Sequence, residues 1–279
     1  MLNTARERKS ATVTTPGAKN AEKLPRKPGV HWPRSWTLHT VLDPRHRLDI
    51  FPAPRTGGPA PAAIFFHGGF WRSGDKADLS LVAFGLRGLG ASVFVVNYPL
   101  CPGASVEDAV GSARDDTRWI AANAANFGAD PDRIFVFGHS TGAHLAAMCF
   151  CGGGRHRTEL PHGMIKGALL TSGMYELEPI RLSSLNADLH LEPDDVASLS
   201  PARLRSSASG PIVVAVGDQE TSEFRRQSES FAHAMTSGGA SAHLAVVPDA
   251  NHYTMLEQWR PGSHLLTLFQ SLVRGVEVS

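Results

Sequence analysis

From about Pro33 onward the chain alternates short runs of β-branched and aromatic residues with longer segments that mix Ala, Leu and Arg. Unbroken apolar runs of four or five positions read as strands buried on both faces. The segments between them read as crossover helices, so the expected class is α/β with a mostly parallel central sheet flanked by helices. The predicted strands are Ala62–Phe66, Ser92–Val96, Ile134–Phe137, Ala168–Thr171, Ile212–Val216 and Leu244–Val247. The predicted helices are Leu79–Leu89, Val106–Asn126, Gly142–Cys149, Phe224–Ser237 and a terminal one near Ser263–Val273.

The second helix carries its own punctuation. Ser105 can cap its N-terminus, and Asp108 three residues on stands near the positive end of the helix dipole. Gly128 supplies the stop, ahead of an expected turn at Asp130-Pro131-Asp132. No internal repeat is visible. Residues 172–210 interrupt the alternation with a long stretch rich in Leu, Ser, Pro and Asp. A segment of that length between two strands predicts a small cap of short helices over the site.

Composition adds little to this picture. A hydrophobic fraction of 42%, with 19% charged residues and 27 glycines in 279, is that of an ordinary globular protein in one large domain. Charge changes it more. The net charge is +1, but residues 1–30 hold seven Lys and Arg against Glu7 and Glu22, so the body is mildly acidic. That excludes a nucleic-acid-binding body, which would present a basic face. Residues 1–30 are expected to form a disordered basic tail, and residues 31–279 the catalytic domain. No run approaches the ~20 apolar residues that span a bilayer, and the first thirty residues lack the apolar core of a secretory signal. The expectation is a cytoplasmic protein with no membrane partner. Cys101, Cys149 and Cys151 form neither a disulfide framework nor a metal-binding spacing and are expected as buried thiols.

Candidate chemistry sits where the strands end. Ile134-Phe135-Val136-Phe137 runs into Gly138-His139-Ser140-Thr141-Gly142, a G-x-S-x-G pattern between a strand and a helix. Acyl transfer needs a hydroxyl held out on a sharp turn, and the flanking glycines leave room for that backbone. Ser140 is the candidate nucleophile. His67-Gly68-Gly69-Phe70 follows an earlier strand and fits an oxyanion turn, so the backbone N–H groups of Gly69, Phe70 and Thr141 are the candidate donors. An acid and a base should follow in that order. Gly217-Asp218-Gln219-Glu220 and Pro248-Asp249-Ala250-Asn251-His252 each follow a predicted strand. His252 is the candidate base; Glu220 is the candidate acid, with Asp218 as the alternative. Phe70, Trp71, His139 and Tyr175 are candidate substrate contacts.

At these residues the chain resembles the arylformamidase or kynurenine-formamidase-like branch of the α/β-hydrolases, whose oxyanion motif HGG-x-W reads here His67-Gly68-Gly69-Phe70-Trp71. Other stretches are similar to the same branch: Asn97-Tyr98-Pro99-Leu100-Cys101-Pro102, Gly138 to Leu145, Ser172 to Pro179, and Glu223-Phe224-Arg225-Arg226-Gln227-Ser228. The likeness runs from about residue 48 to the C-terminal region. One departure is Thr141, where Ala is usual, which adds a hydroxyl beside the nucleophile. Residues 1–35 match nothing in the branch. The resemblance implies an α/β-hydrolase fold, removal of an N-formyl or similar small acyl group from an aromatic amine, and no metal or other cofactor.

Three other readings compete. A carboxylesterase acting on short-chain or aryl esters would use the same machinery. A noncatalytic ligand-binding protein could keep the fold, but would not need Ser140, Glu220 and His252 together. A metallohydrolase would need His67, His139, His144 and His252 to converge, and none of them has H-E-x-x-H spacing. The expected partner is a small molecule, aromatic by the resemblance; the sequence is also compatible with a homodimer.

Overall fold

A computed structural model describes residues 36–39 (backbone only), 45, 47–54, 58–154 and 159–275. The predicted tail at 1–30 lies outside them. Eight strands form one sheet: β1 (Trp36–His39), β2 (Arg47–Phe51), β3 (Ala60–Phe66), β4 (Ser92–Val96), β5 (Ala129–His139), β6 (Ile165–Thr171), β7 (Ile212–Gly217) and β8 (Ala242–Val247). Their order across the sheet is β1-β2-β4-β3-β5-β6-β7-β8. β1 and β2 pair antiparallel, as do β2 and β4, and every later pairing is parallel.

The described helices are α1 (Val82–Gly88), α2 (Val106–Asn123), α3 (Thr141–Phe150), α4 (Glu178–Arg181), α5 (Asn186–Leu189), α6 (Pro193–Leu199), α7 (Ser222–Ser237) and α8 (His264–Arg274). The strand pleat explains why both faces need covering. In β3, Ala62, Ile64 and Phe66 point to one side and join a core with residues of α2, α3 and α7. Ala63 and Phe65 point to the other and join a core with α1 and α8. All five are fully buried, as a parallel sheet between two helical layers requires. Each such side chain contributes roughly 1.5–3 kcal/mol when large and fully buried. Cys101, Cys149 and Cys151 are buried free thiols, as expected.

The six predicted strands and five long helices are all present, with three differences. β1 and β2 were not expected: β2 carries Asp49 in its middle, a residue that reads as loop. There Asp49 is buried and holds Lys76 Nζ at 2.8 Å. The expected turn at Asp130-Pro131-Asp132 is instead a bulge within β5, where the register with β3 jumps from Pro61↔Asp130 to Ala62↔Ile134. α2 begins as read, with Ser105 and Asp108 forming a reciprocal capping box. It ends at Asn123, and a 3-10 turn over Ala124–Phe127 reaches Gly128 in the left-handed region, φ 70°.

Residues 172–210 hold α4, α5, α6 and a 3-10 turn at Pro201–Arg203. Leu177, Leu189, Leu191, Val196 and Leu199 from this segment join the core on the α2–α3 side. A cavity of about 370 Å³ lies between Leu189–Leu191 and the Pro102–Asp108 loop.

Candidate active site

The turn after β5 is built to hold one side chain out from a sharply bent backbone. Ser140 has φ 58° and ψ −124°, and its N–H donates to Thr171 O at 2.9 Å. Only glycine fits on either side of it. A Cβ at Gly138 would stand 2.3 Å from Gly142 O, and one at Gly142 would stand 1.9 Å from Phe66 O. The strand, the sharp turn and the helix can therefore close on one another only with this glycine spacing, and α3 starts at the next residue.

Two loops from the far strands reach this turn. His252 follows β8, and its Nε2 accepts from Ser140 Oγ at 3.2 Å. Its Nδ1–H donates to Glu220 Oε2 at 2.9 Å. A carboxylate can only accept, which puts the ring proton on Nδ1 and leaves Nε2 free to take the serine proton. Glu220 has a wholly buried side chain, so its other oxygen also needs partners. Oε1 accepts from Ser172 Oγ at 2.5 Å and from Gly217 N at 2.9 Å. Asp218, the alternative acid, is exposed and turned elsewhere; its Oδ1 accepts from Ala250 N at 3.3 Å. The difference is one of position on the turn after β7: Asp218 leaves the strand on the solvent side, while Glu220 folds back to Gly217.

The His67–Trp71 turn lies over the same serine, since a Cβ at Gly68 would come within 3.1 Å of Ser140 Cβ. Gly69, Phe70 and Trp71 all have positive φ, 125°, 54° and 55°. The Gly69 carbonyl is held by Arg72 N, Ser73 N and Ser73 Oγ at 3.0, 3.0 and 3.1 Å. None of the N–H groups of Gly69, Phe70 and Thr141 donates to another backbone group among the described residues. Beneath the turn, Tyr98 donates its hydroxyl to His67 O at 2.8 Å and stacks on the His67 ring. The Thr141 side chain is buried beside Tyr98 and does not open into the site. Arg72 pairs with Asp188 of α5, which joins the turn to the 172–210 segment.

The candidate substrate contacts divide. Phe70 is half-buried beside the turn. His139 is buried with its ring 4.6 Å from that of His252, and burial holds its pKa down to about 3, so it is uncharged near neutrality. Trp71 and Tyr175 correct the expectation. Both are fully buried: Trp71 packs edge-on against His144, and Tyr175 stacks on Phe231 at 4.1 Å. Their large apolar rings fill the core behind the turn and present no surface to a ligand. Three contributors went unread in the sequence. Ser172 and the Gly217 N–H hold Glu220, and Phe224 stacks on the His252 ring at 4.3 Å. Ser172 and Phe224 lie in stretches that carried the family likeness, but nothing in their spacing pointed to these contacts.

The four histidines near the elbow do not converge as metal ligands. His67 lies against Tyr98, and His144 Nε2 bonds Leu199 O at 2.8 Å. Among the described residues no three His, Cys, Asp or Glu side chains stand together for a metal ion. No helix among the described residues is long and apolar enough to cross a membrane. The arrangement can move a proton from Ser140 Oγ to His252, balance the resulting imidazolium with Glu220, and offer backbone donors to an oxygen that gains charge next to Ser140.

Comparisons with known proteins place the chain in a family. A family model of the α/β hydrolase fold matches residues 63–256. Kynurenine formamidase of Danio rerio is 31% identical over 226 residues, which span 79% of this chain and 75% of the relative. The isoprenylcysteine α-carbonyl methylesterase ICME of Arabidopsis thaliana is 28% identical over 77% of this chain and 55% of its own length. Among solved structures, a hyperthermophilic esterase from the archaeon Pyrobaculum calidifontis superposes with a TM-score of 0.66 at 25% identity, covering 82% of this chain and 81% of that one. The likeness to the kynurenine-formamidase-like branch, read from separate motifs, is thereby borne out.

Proposed function

Because the chain belongs to the α/β-hydrolase family, we propose that this hydrolase works as a serine enzyme that removes a small, formyl-like acyl group from an aromatic amine or alcohol. The observation that carries the reading is the continuous hydrogen-bonded chain from Ser140 Oγ through His252 to Glu220. Ser140 Oγ attacks the acyl carbon as His252 Nε2 takes its proton. The Gly69, Phe70 and Thr141 N–H groups receive the oxyanion. His252 then gives the proton to the leaving nitrogen or oxygen, and the C–N or C–O bond breaks to leave an acyl-Ser140. Water, deprotonated by the same imidazole, releases the acid. The reading assigns no step to a metal or other cofactor. Glu220 keeps the imidazole in the required tautomer throughout.

The substrate assignment rests on the formamidase relative and on Phe70 at the mouth of the turn, with the 172–210 segment proposed as a cap joined to it by Arg72 and Asp188. A second reading, a carboxylesterase on short-chain or aryl esters, is favoured by the methylesterase relative. One methylene in an apolar pocket discriminates by only ~1–3 kcal/mol, so overlapping activities are expected. The test compares kcat/KM for N-formylkynurenine, other N-acylated arylamines, and aryl esters of increasing acyl length. A formyl-arylamine should lead, and activity should fall as the acyl chain lengthens. Esters ahead by orders of magnitude, with no measurable amide cleavage, would move the assignment to the carboxylesterase.

A further inference from the structure

Ser172 is the first residue after β6, fully buried, with a left-handed backbone at φ 53°. A serine takes that conformation only where its surroundings impose it. Here they do so from both sides. Its N–H donates to Ala215 O at 2.8 Å, extending the pairing of β6 with β7. Just beyond it, the N–H groups of Tyr175 and Glu176 both donate to Gln227 Oε1 of α7, at 2.7 and 3.0 Å. The backbone is therefore fixed, and the hydroxyl is aimed at Glu220 Oε1, 2.5 Å away and 48 residues along the chain. The preceding residue serves the other end of the site, since Thr171 Oγ1 donates to Gly138 O at 2.8 Å.

Resting on the triad reading above, we propose that Ser172 is a positioning residue for the reaction: its hydroxyl holds the Glu220 carboxylate so that Oε2 meets His252 Nδ1 and the charge stays opposite the ring. Glu220 has a wholly buried side chain, so water cannot replace a missing donor. Without Ser172, Gly217 N–H alone would hold Oε1, and the carboxylate could rotate away from the His252 ring.

The test uses Ser172→Ala and Ser172→Gly in the full chain, the glycine keeping a backbone at ease with positive φ should alanine disturb folding. A hydrogen bond to a charged group is worth a factor of roughly 10 to 100. Both variants should lose about that much kcat with KM nearly unchanged. In a Glu220→Gln background the same changes should cost less than about 3-fold, because a hydroxyl that acts through the carboxylate has nothing left to position. Wild-type kcat in both variants, beside a crippled Glu220→Gln enzyme, would overturn the proposal alone. So would losses that simply multiply with that of Glu220→Gln. A fully active Glu220→Gln enzyme would remove the triad reading and this inference with it.

Discussion

Ser140→Ala is expected to leave a folded protein whose hydrolytic turnover has dropped on the order of 10⁶-fold, and His252→Ala should do nearly the same. In enzymes with this constellation, losing either member costs almost as much as losing all of it, and about 10³–10⁴-fold catalysis over water survives from the oxyanion donors and binding. The fold should persist because Ser140 already holds its positive φ as a non-glycine residue, and its side chain contributes one 3.2 Å hydrogen bond to a partly exposed ring. Turnover measured beside a thermal melt separates the two effects. Unchanged melting with near-zero turnover is the predicted pair of results; wild-type turnover in either variant would contradict the mechanism.

Glu220→Gln should be the second most damaging change, with a fall of about 10⁴-fold in kcat. The two carboxylate oxygens accept three hydrogen bonds, from Ser172 Oγ, Gly217 N and His252 Nδ1. An amide has one acceptor and one donor end, so one side of that arrangement must face donor to donor. If the NH₂ turns to His252, the ring is pushed into the tautomer with its proton on Nε2, which can no longer take the serine proton. Asp218→Asn changes an exposed side chain whose contact is Ala250 N, and should alter turnover by no more than about 3-fold. A larger loss for Asp218→Asn than for Glu220→Gln, at equal stability, would reverse the assignment of the acid.

The six parallel strands were legible because burial on both faces demands unbroken apolar runs, and the turn at Ser140 because its glycines are required by backbone clashes that no other residue can avoid. The proposed acid was legible to within two residues: the end of β7 marked the place, but whether Asp218 or Glu220 folds inward depends on the turn from Gly217. What escaped were features that depend on contacts distant in sequence. β2 hides behind Asp49, whose charge is matched by Lys76 from another loop. Ser172 looks like any serine after a strand until β7 and the turn that carries Glu220 come beside it. Trp71 and Tyr175 illustrate the opposite error, where nearness to a motif suggested a pocket wall and the core claimed the rings instead.

Covalent acylation of Ser140 is tested most directly by active-site labelling with a serine-directed organophosphate followed by peptide mass mapping. The expected result is one phosphoryl group per chain on the peptide containing Ser140, loss of activity in step with labelling, and no labelling of the Ser140→Ala protein. Stoichiometric labelling at another residue, or an enzyme that keeps full activity when Ser140 is modified, would contradict it.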